Sequence, residues 1–145
     1  TKTVIALAAD HAGFPLKEII ADELRALGYE ALDLGTNGTV SVDYPDFGHA
    51  IGEAIANSQA RYGVAICGSG IGISIAANRH ANVRAALCHD GLTAKLSRQH
   101  NNANVLALGA RIIGIETARD AVSAFFTTDF EGGRHERRVD KIELT

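Results

Sequence analysis

Short apolar runs alternate along this chain with longer stretches in which apolar residues recur at helical spacing. Thr3 to Ala9 is a run of small and branched residues that stops at Asp10-His11-Ala12-Gly13, which predicts a buried strand entering a loop. Leu16, Ile19, Ile20, Leu24 and Leu27 then repeat with charges between them, a helix that Gly28 is placed to stop in a left-handed conformation. Ala31 to Leu34 predicts a second strand, and the polar, glycine-punctuated stretch from Gly35 to Val42 a loop. Asp43 stands where it would cap the next helix, with Pro45 in its first turn and Phe47, Ile51, Ala54 and Ile55 on one side as far as about Ser58.

The same alternation continues to the end. Strands are expected at Gly63 to Cys67, Val83 to Cys88 and Asn104 to Leu108, with helices at Ile71 to Asn78, Leu92 to His100, Ile115 to Phe126 and Glu131 to Leu144. Five strands separated by helices imply right-handed crossovers, hence an α/β fold: a doubly wound, Rossmann-like three-layer sandwich on a five-stranded parallel sheet. No linker, repeat or low-complexity stretch divides the chain, so one domain over residues 1–145 is expected.

Composition narrows the classes of function. A hydrophobic share of 46% supplies a core without staples, and Cys67 and Cys88 lack metal-type spacing, so a reducing compartment, the cytoplasm, is expected. No apolar run approaches the length of a membrane span. The formal charge of −3, from 14 basic and 17 acidic residues, and the scarcity of aromatics argue against nucleic-acid binding.

The densest chemical signal is Cys67-Gly68-Ser69-Gly70-Ile71-Gly72-Ile73 at a predicted strand end. Alternating glycines let a backbone turn sharply and aim N–H groups inward, which suits a phosphate or a developing oxyanion; a plain tight turn has the same composition. A dinucleotide fingerprint would place its third glycine at residue 73, which is Ile73, and the Lys-Ser or Lys-Thr ending of a nucleotide P-loop is missing. Cys67 reads either as a small buried hydrophobe or as a thiolate base favoured by the following helix end, whereas Cys88 reads as buried packing.

Other candidates are more scattered. Asp10-His11 ends the first strand and His100-Asn101 precedes the last, and both are expected at the edge that carries the glycine loop, so that Cys67, Asp10 and His100 share a cleft. His49 and His80 read as surface or packing residues. Arg134 and Arg138 lie four apart, on one helix face, and suit a phosphate dianion; the segment Glu131 to Glu143 also holds four basic and four acidic side chains, so ion pairing is the competing reading. His135, Val139 and Ile142 form a stripe by which that helix would dock. Arg111 is a third candidate for the anion.

Asp10-His11-Ala12-Gly13, Asp43-Tyr44-Pro45, the run from Cys67 to Asn78, Thr93 to Asn101 and Gly132-Gly133-Arg134-His135 together closely resemble the ribose-5-phosphate isomerase B family, in order and spacing over essentially the whole chain. That family includes galactose-6-phosphate and allose-6-phosphate isomerases. The resemblance implies an aldose–ketose isomerase that needs no metal or organic cofactor and works as a homodimer or a dimer of dimers with sites shared between subunits. It implies Cys67 as the base acting through a cis-enediolate on ribose 5-phosphate, with allose 6-phosphate or another six-carbon phosphate as the alternative substrate. It further implies Ser69 as hydroxyl helper where many relatives carry threonine, His100 as the ring-opening group, and Asp10 and Asn101 on the sugar oxygens. Gly68, Gly70, Ile71 and Gly72 would line the substrate, His11, Arg134 and Arg138 would cradle its phosphate, and Arg111 would reach in from the partner subunit.

Two other classes compete. A nucleotide-binding module of the same fold class would have no use for a base and a ring-opening group around its anion. A cysteine phosphatase would carry an arginine in the thiol loop, and none occurs between Cys67 and Asn78.

Overall fold

The branched and small residues of the strands sort by parity onto two apolar layers. Ile5, Leu7 and Ala9 pack with Val64, Ile66, Leu106 and Leu108 on one face of a sheet, while Ala6, Ala8, Ala65, Cys67, Val105 and Ala107 pack on the other. Burial on both faces is what a parallel sheet with crossover helices demands. The computed structural model describes residues 1–144. Its order is β1 (Val4–Ala9), α1 (Phe14–Ala26), β2 (Glu30–Asp33), α2 (Tyr44–Ala56), β3 (Tyr62–Cys67), α3 (Ile71–Ala77), β4 (Ala85–Leu87), α4 (Gly91–Asn101), β5 (Val105–Gly109), α5 (Ile115–Phe126) and α6 (Arg134–Asp140).

The five strands run parallel in the spatial order β2-β1-β3-β5-β4. Helices α1, α4 and α5 cover the face bearing the larger side chains, and α2 and α3 cover the alanine-rich face. This is the three-layer, Rossmann-like sandwich that the alternation predicts. The chain leaves β1 toward β2 on one side and returns to β3 on the other, so the loops after β1 and β3 diverge and open a crevice at the carboxyl edge. No helix among the described residues is long and apolar enough to cross a membrane.

Local signals act largely as read. Gly28, at φ +94°, follows α1, and the N–H groups of Gly28 and Tyr29 donate to the carbonyls of Arg25 and Leu24, closing the helix end. Three details differ. Asp43 holds the N-cap position of α2 but makes no side-chain capping bond. The fourth strand is only Ala85–Leu87, an edge strand paired on one side. The last helix is confined to Arg134–Asp140, because Gly132 and Gly133 both take positive φ, 68° and 55°, which a helix cannot include. Within it His135 and Val139 are buried as expected, whereas Ile142 lies beyond its end and is exposed.

Candidate functional site

Strand β3 delivers Cys67 to the carboxyl edge, and the glycine loop turns immediately behind it. Gly70 takes φ +77°, and a Cβ there would lie 2.6 Å from Leu87 Cδ1 and 2.8 Å from the carbonyl carbon of Leu108, so only glycine fits. The turn brings the Gly70 N–H back to donate to Cys67 Sγ at 3.1 Å, and the Ile71 N–H donates to Ser69 Oγ at 3.2 Å. The loop amides expected to face a ligand are thus partly engaged by the loop's own sulfur and hydroxyl. A hydrogen bond donated to sulfur stabilises negative charge on it, and Ser69, accepting at oxygen, keeps its proton to give away.

Across the crevice, Asp10 ends β1, is buried, and accepts the Gly13 N–H on Oδ1 at 3.0 Å, which orients the carboxylate. A cleft of about 580 Å³ is lined by Asp10, Tyr44, Cys67, Gly68, Ser69, Ile71, Gly72 and Arg111 together with Ile75 and Ile112. His11 follows Asp10, and its Nδ1 accepts the Val42 N–H at 3.1 Å, so that the ring proton of the neutral form sits on Nε2. Tyr44, whose ring lies against Gly72, also stands on the cleft wall; the sequence shows it only as part of Asp43-Tyr44-Pro45, because its place depends on how α2 packs.

Two expectations need correction. Arg111 does not leave its own chain's cleft. The turn after β5 folds back over the glycine loop, the Ala110 and Arg111 N–H groups donate to the carbonyls of Cys67 and Gly68 at 2.9 Å, and the guanidinium therefore lines the Cys67 cleft. His100 and Asn101, conversely, do not join it. They end α4, which runs back against the strand direction, so they stand at the opposite edge of the sheet, where β5 begins. There His100, Asn101 and Arg138 line a second cleft of about 330 Å³ with His135, Val139 and Ile142. Arg134 begins α6 and is exposed.

Around that second cleft, residues that the sequence offers singly are brought into one cluster. The His100 and His135 rings stack at 4.4 Å, and Glu131 Oε1 approaches their Nε2 atoms at 4.0 and 3.5 Å. Burial above all, then His100 and the flanking arginines, holds the His135 imidazole below the usual histidine range, with Glu131 opposing. Burial pushes the Cys88 thiol up, and of the two free cysteines it is Cys67 that lines the cleft beside the glycine loop. His49 and His80, the expected packing residues, face each other at 2.8 Å between Nδ1 and Nε2. A hollow of about 590 Å³ beside edge strand β4, with His80, Arg84, Asn101 and Glu143 in its wall, brings no thiol to a glycine loop.

The family profile described as Ribose/Galactose Isomerase matches residues 5–142. Ribose-5-phosphate isomerase B of Escherichia coli (strain K12) is 45% identical over 138 residues, covering 95% of this chain and 93% of that one. A solved ribose 5-phosphate isomerase from Thermotoga maritima superposes with a TM-score of 0.95 at 47% identity over the whole of both chains. The ribose-5-phosphate isomerase B from Clostridium thermocellum gives the same TM-score at 48% identity, covering 97% of this chain and 95% of that one.

Proposed function

Since the chain belongs to the ribose/galactose isomerase family, we propose that it interconverts ribose 5-phosphate and ribulose 5-phosphate, with Cys67 as the base, at sites built from two subunits. The observation that carries the reading is the placement of Cys67 Sγ: at the end of a buried strand, receiving the Gly70 N–H, in one cleft with Asp10, Ser69 and Arg111. A carbon acid next to a carbonyl needs a base within reach and a proton donor at the oxygen that becomes negative. The Cys67 thiolate removes the C2 proton of the open-chain aldose, O1 takes up the charge, and Ser69 donates to the sugar oxygens of the cis-enediolate. The thiol then returns the proton to C1 while the O2 proton passes to O1, leaving the ketose. No electron leaves the sugar, so the balance needs no redox partner.

Ring opening and part of the phosphate cradle come from the other edge of the sheet. One chain cannot bring His100 to Cys67, but a two-fold pair sets the carboxyl-edge cleft of one subunit against the amino-edge cleft of its mate. Each site then contains Asp10, His11, Cys67, Gly68, Ser69, Gly70, Ile71, Gly72 and Arg111 of one subunit with the partner's His100, Asn101, Arg134 and Arg138. Ile71, Ile75 and Ile112, 52%, 60% and 58% exposed around the Cys67 cleft, supply apolar surface for such a pairing to cover.

The test is proton exchange at C2 in heavy water, followed with ribose 5-phosphate and with allose 6-phosphate. The protein should exchange the C2 proton of ribose 5-phosphate faster, and Cys67→Ala should lose about 10²–10⁴-fold in that exchange while still binding the sugar. Parent-like exchange in folded Cys67→Ala would return Cys67 to a packing role.

A further inference from the structure

We infer that His100, Glu131 and His135 form a binding site for a divalent transition-metal ion of the zinc type, one ion per chain. The backbone brings the three side chains together, and a turn of the His100 ring completes the site. The Glu131 N–H donates to the Gln99 carbonyl at 3.1 Å, tying the segment before α6 to the end of α4 next to His100. Glu131 lies just before α6 and His135 in its first turn, where His135 is buried and Glu131 Oε1 comes within 3.5 Å of its Nε2. All three ligand atoms lie within 4.8 Å of one another, but the His100 ring is stacked on that of His135, 14° from parallel at 4.4 Å, so their lone pairs do not converge until the half-exposed His100 ring turns off the stack.

The two separations to Glu131 are near those around a tetrahedral ion, and the same turn of His100 sets the third. With bonds of about 2.0–2.1 Å, neighbouring donors in a zinc centre stand about 3.4 Å apart. The Glu131–His135 edge, at 3.5 Å, is already there; the Glu131–His100 edge, at 4.0 Å, closes by about 0.6 Å through rotation of two solvent-accessible side chains. Two imidazoles and a carboxylate are a borderline-soft set that favours zinc over magnesium or calcium, and the fourth position stays open for water. Arg138 shares the cleft and its charge opposes a cation, so binding is weaker than at closed structural zinc sites.

A cation held there occupies the lone pair of His100. If His100 opens the sugar ring, the ion inhibits isomerisation in competition with the substrate; that consequence rests on the proposed function, whereas the binding does not.

The rival target for the ion is the Cys67 thiolate, and the experiment separates the two. The metal-stripped protein is titrated with zinc by calorimetry and with cobalt(II) by absorption spectroscopy, in the parent, Glu131→Gln and Cys67→Ser forms. The expected result is one ion per chain in the parent and in Cys67→Ser, tetrahedral cobalt bands without a thiolate charge-transfer band, and binding weakened on the order of tenfold or more in Glu131→Gln. Glu131 is exposed, so its replacement tests ligation without disturbing the core. Undiminished binding in Glu131→Gln, loss of binding in Cys67→Ser, or a thiolate band would overturn the site. Binding as expected but without competitive inhibition would uphold the site and remove His100 from the sugar reaction.

Discussion

The ammonium of Lys17, wholly buried beneath α1, donates to both carboxylate oxygens of Asp33 at 2.6 and 2.7 Å, while Asp33 itself stays more than one-third exposed at the end of β2. Asp33 also accepts the Gly35 N–H at 2.9 Å, and Lys17 donates to Asn37 at 3.3 Å, so the pair anchors the start of the loop whose far end meets His11. The two halves of this pair are unequal. Asp33→Ala strands a buried ammonium and is expected to cost about 3–5 kcal/mol. Lys17→Met fills similar volume and leaves a carboxylate that water already reaches, so the loss is about 1 kcal/mol. Urea unfolding of both variants measures the order; Lys17→Met as the more damaging change would refute it.

The two cysteines should differ in reactivity although both are buried. Cys67 opens on a cleft and receives an N–H bond, whereas burial pushes the Cys88 thiol up against the weaker pull of Thr93 and Ser97. Iodoacetamide is expected to add one group per chain, on Cys67, and ribose 5-phosphate to slow the addition. Peptide mass spectrometry locates the label, and modification of Cys88 first would contradict the assignment.

Much of the architecture was legible because strand runs and helical periodicity reflect the same burial that the sheet enforces. The glycine loop was legible because Gly70 meets a steric demand no other residue satisfies. The shared cleft of Cys67 and Asp10 was legible because both end parallel strands of the same sheet. His100 stands at the opposite edge from the one expected because a crossover helix runs back against the strands: the C-terminus of α4 lies where β5 starts, not where it ends. Lys17 was invisible as an anchor, being one charge among several in an amphipathic pattern, and its partner Asp33 comes from a different element. The facing of His49 and His80, and of His100 and His135, depends on helix docking that no local pattern encodes.

Acid should act on α4 through its cap. Asp90 accepts from the Thr93 N–H and from its hydroxyl, at 2.7 and 2.8 Å, and these bonds hold its carboxyl below the usual carboxylate range. A depressed folded value means that the stabilisation is complete above the unfolded value of about 3.9 and disappears as pH falls through the lower folded one. The gap in melting temperature between the parent and Asp90→Ala should therefore be widest at neutral pH and shrink in acid below about pH 4. A gap that is flat or grows on acidification would show that the carboxylate does not carry the cap.

Sharing of the site between subunits makes a quantitative forecast, because Cys67 and His100 line different clefts at opposite edges of one chain. Take two proteins, Cys67→Ala and His100→Asn, each impaired as a homodimer because every one of its sites lacks one group. When the two are unfolded together and refolded, random pairing makes about half of the dimers mixed. In a mixed dimer one composite site carries both substitutions. The other combines the intact Cys67 of one chain with the intact His100 of its mate. One site of two in half of the dimers restores about one quarter of the parental activity. If each chain instead held a complete site of its own, every site would keep one substitution and mixing would restore nothing. The measurement is ribose 5-phosphate isomerisation by the refolded mixture, with native mass spectrometry to count mixed dimers. Abundant mixed dimers without restored turnover would overturn the shared site, and with it the role of the partner's His100.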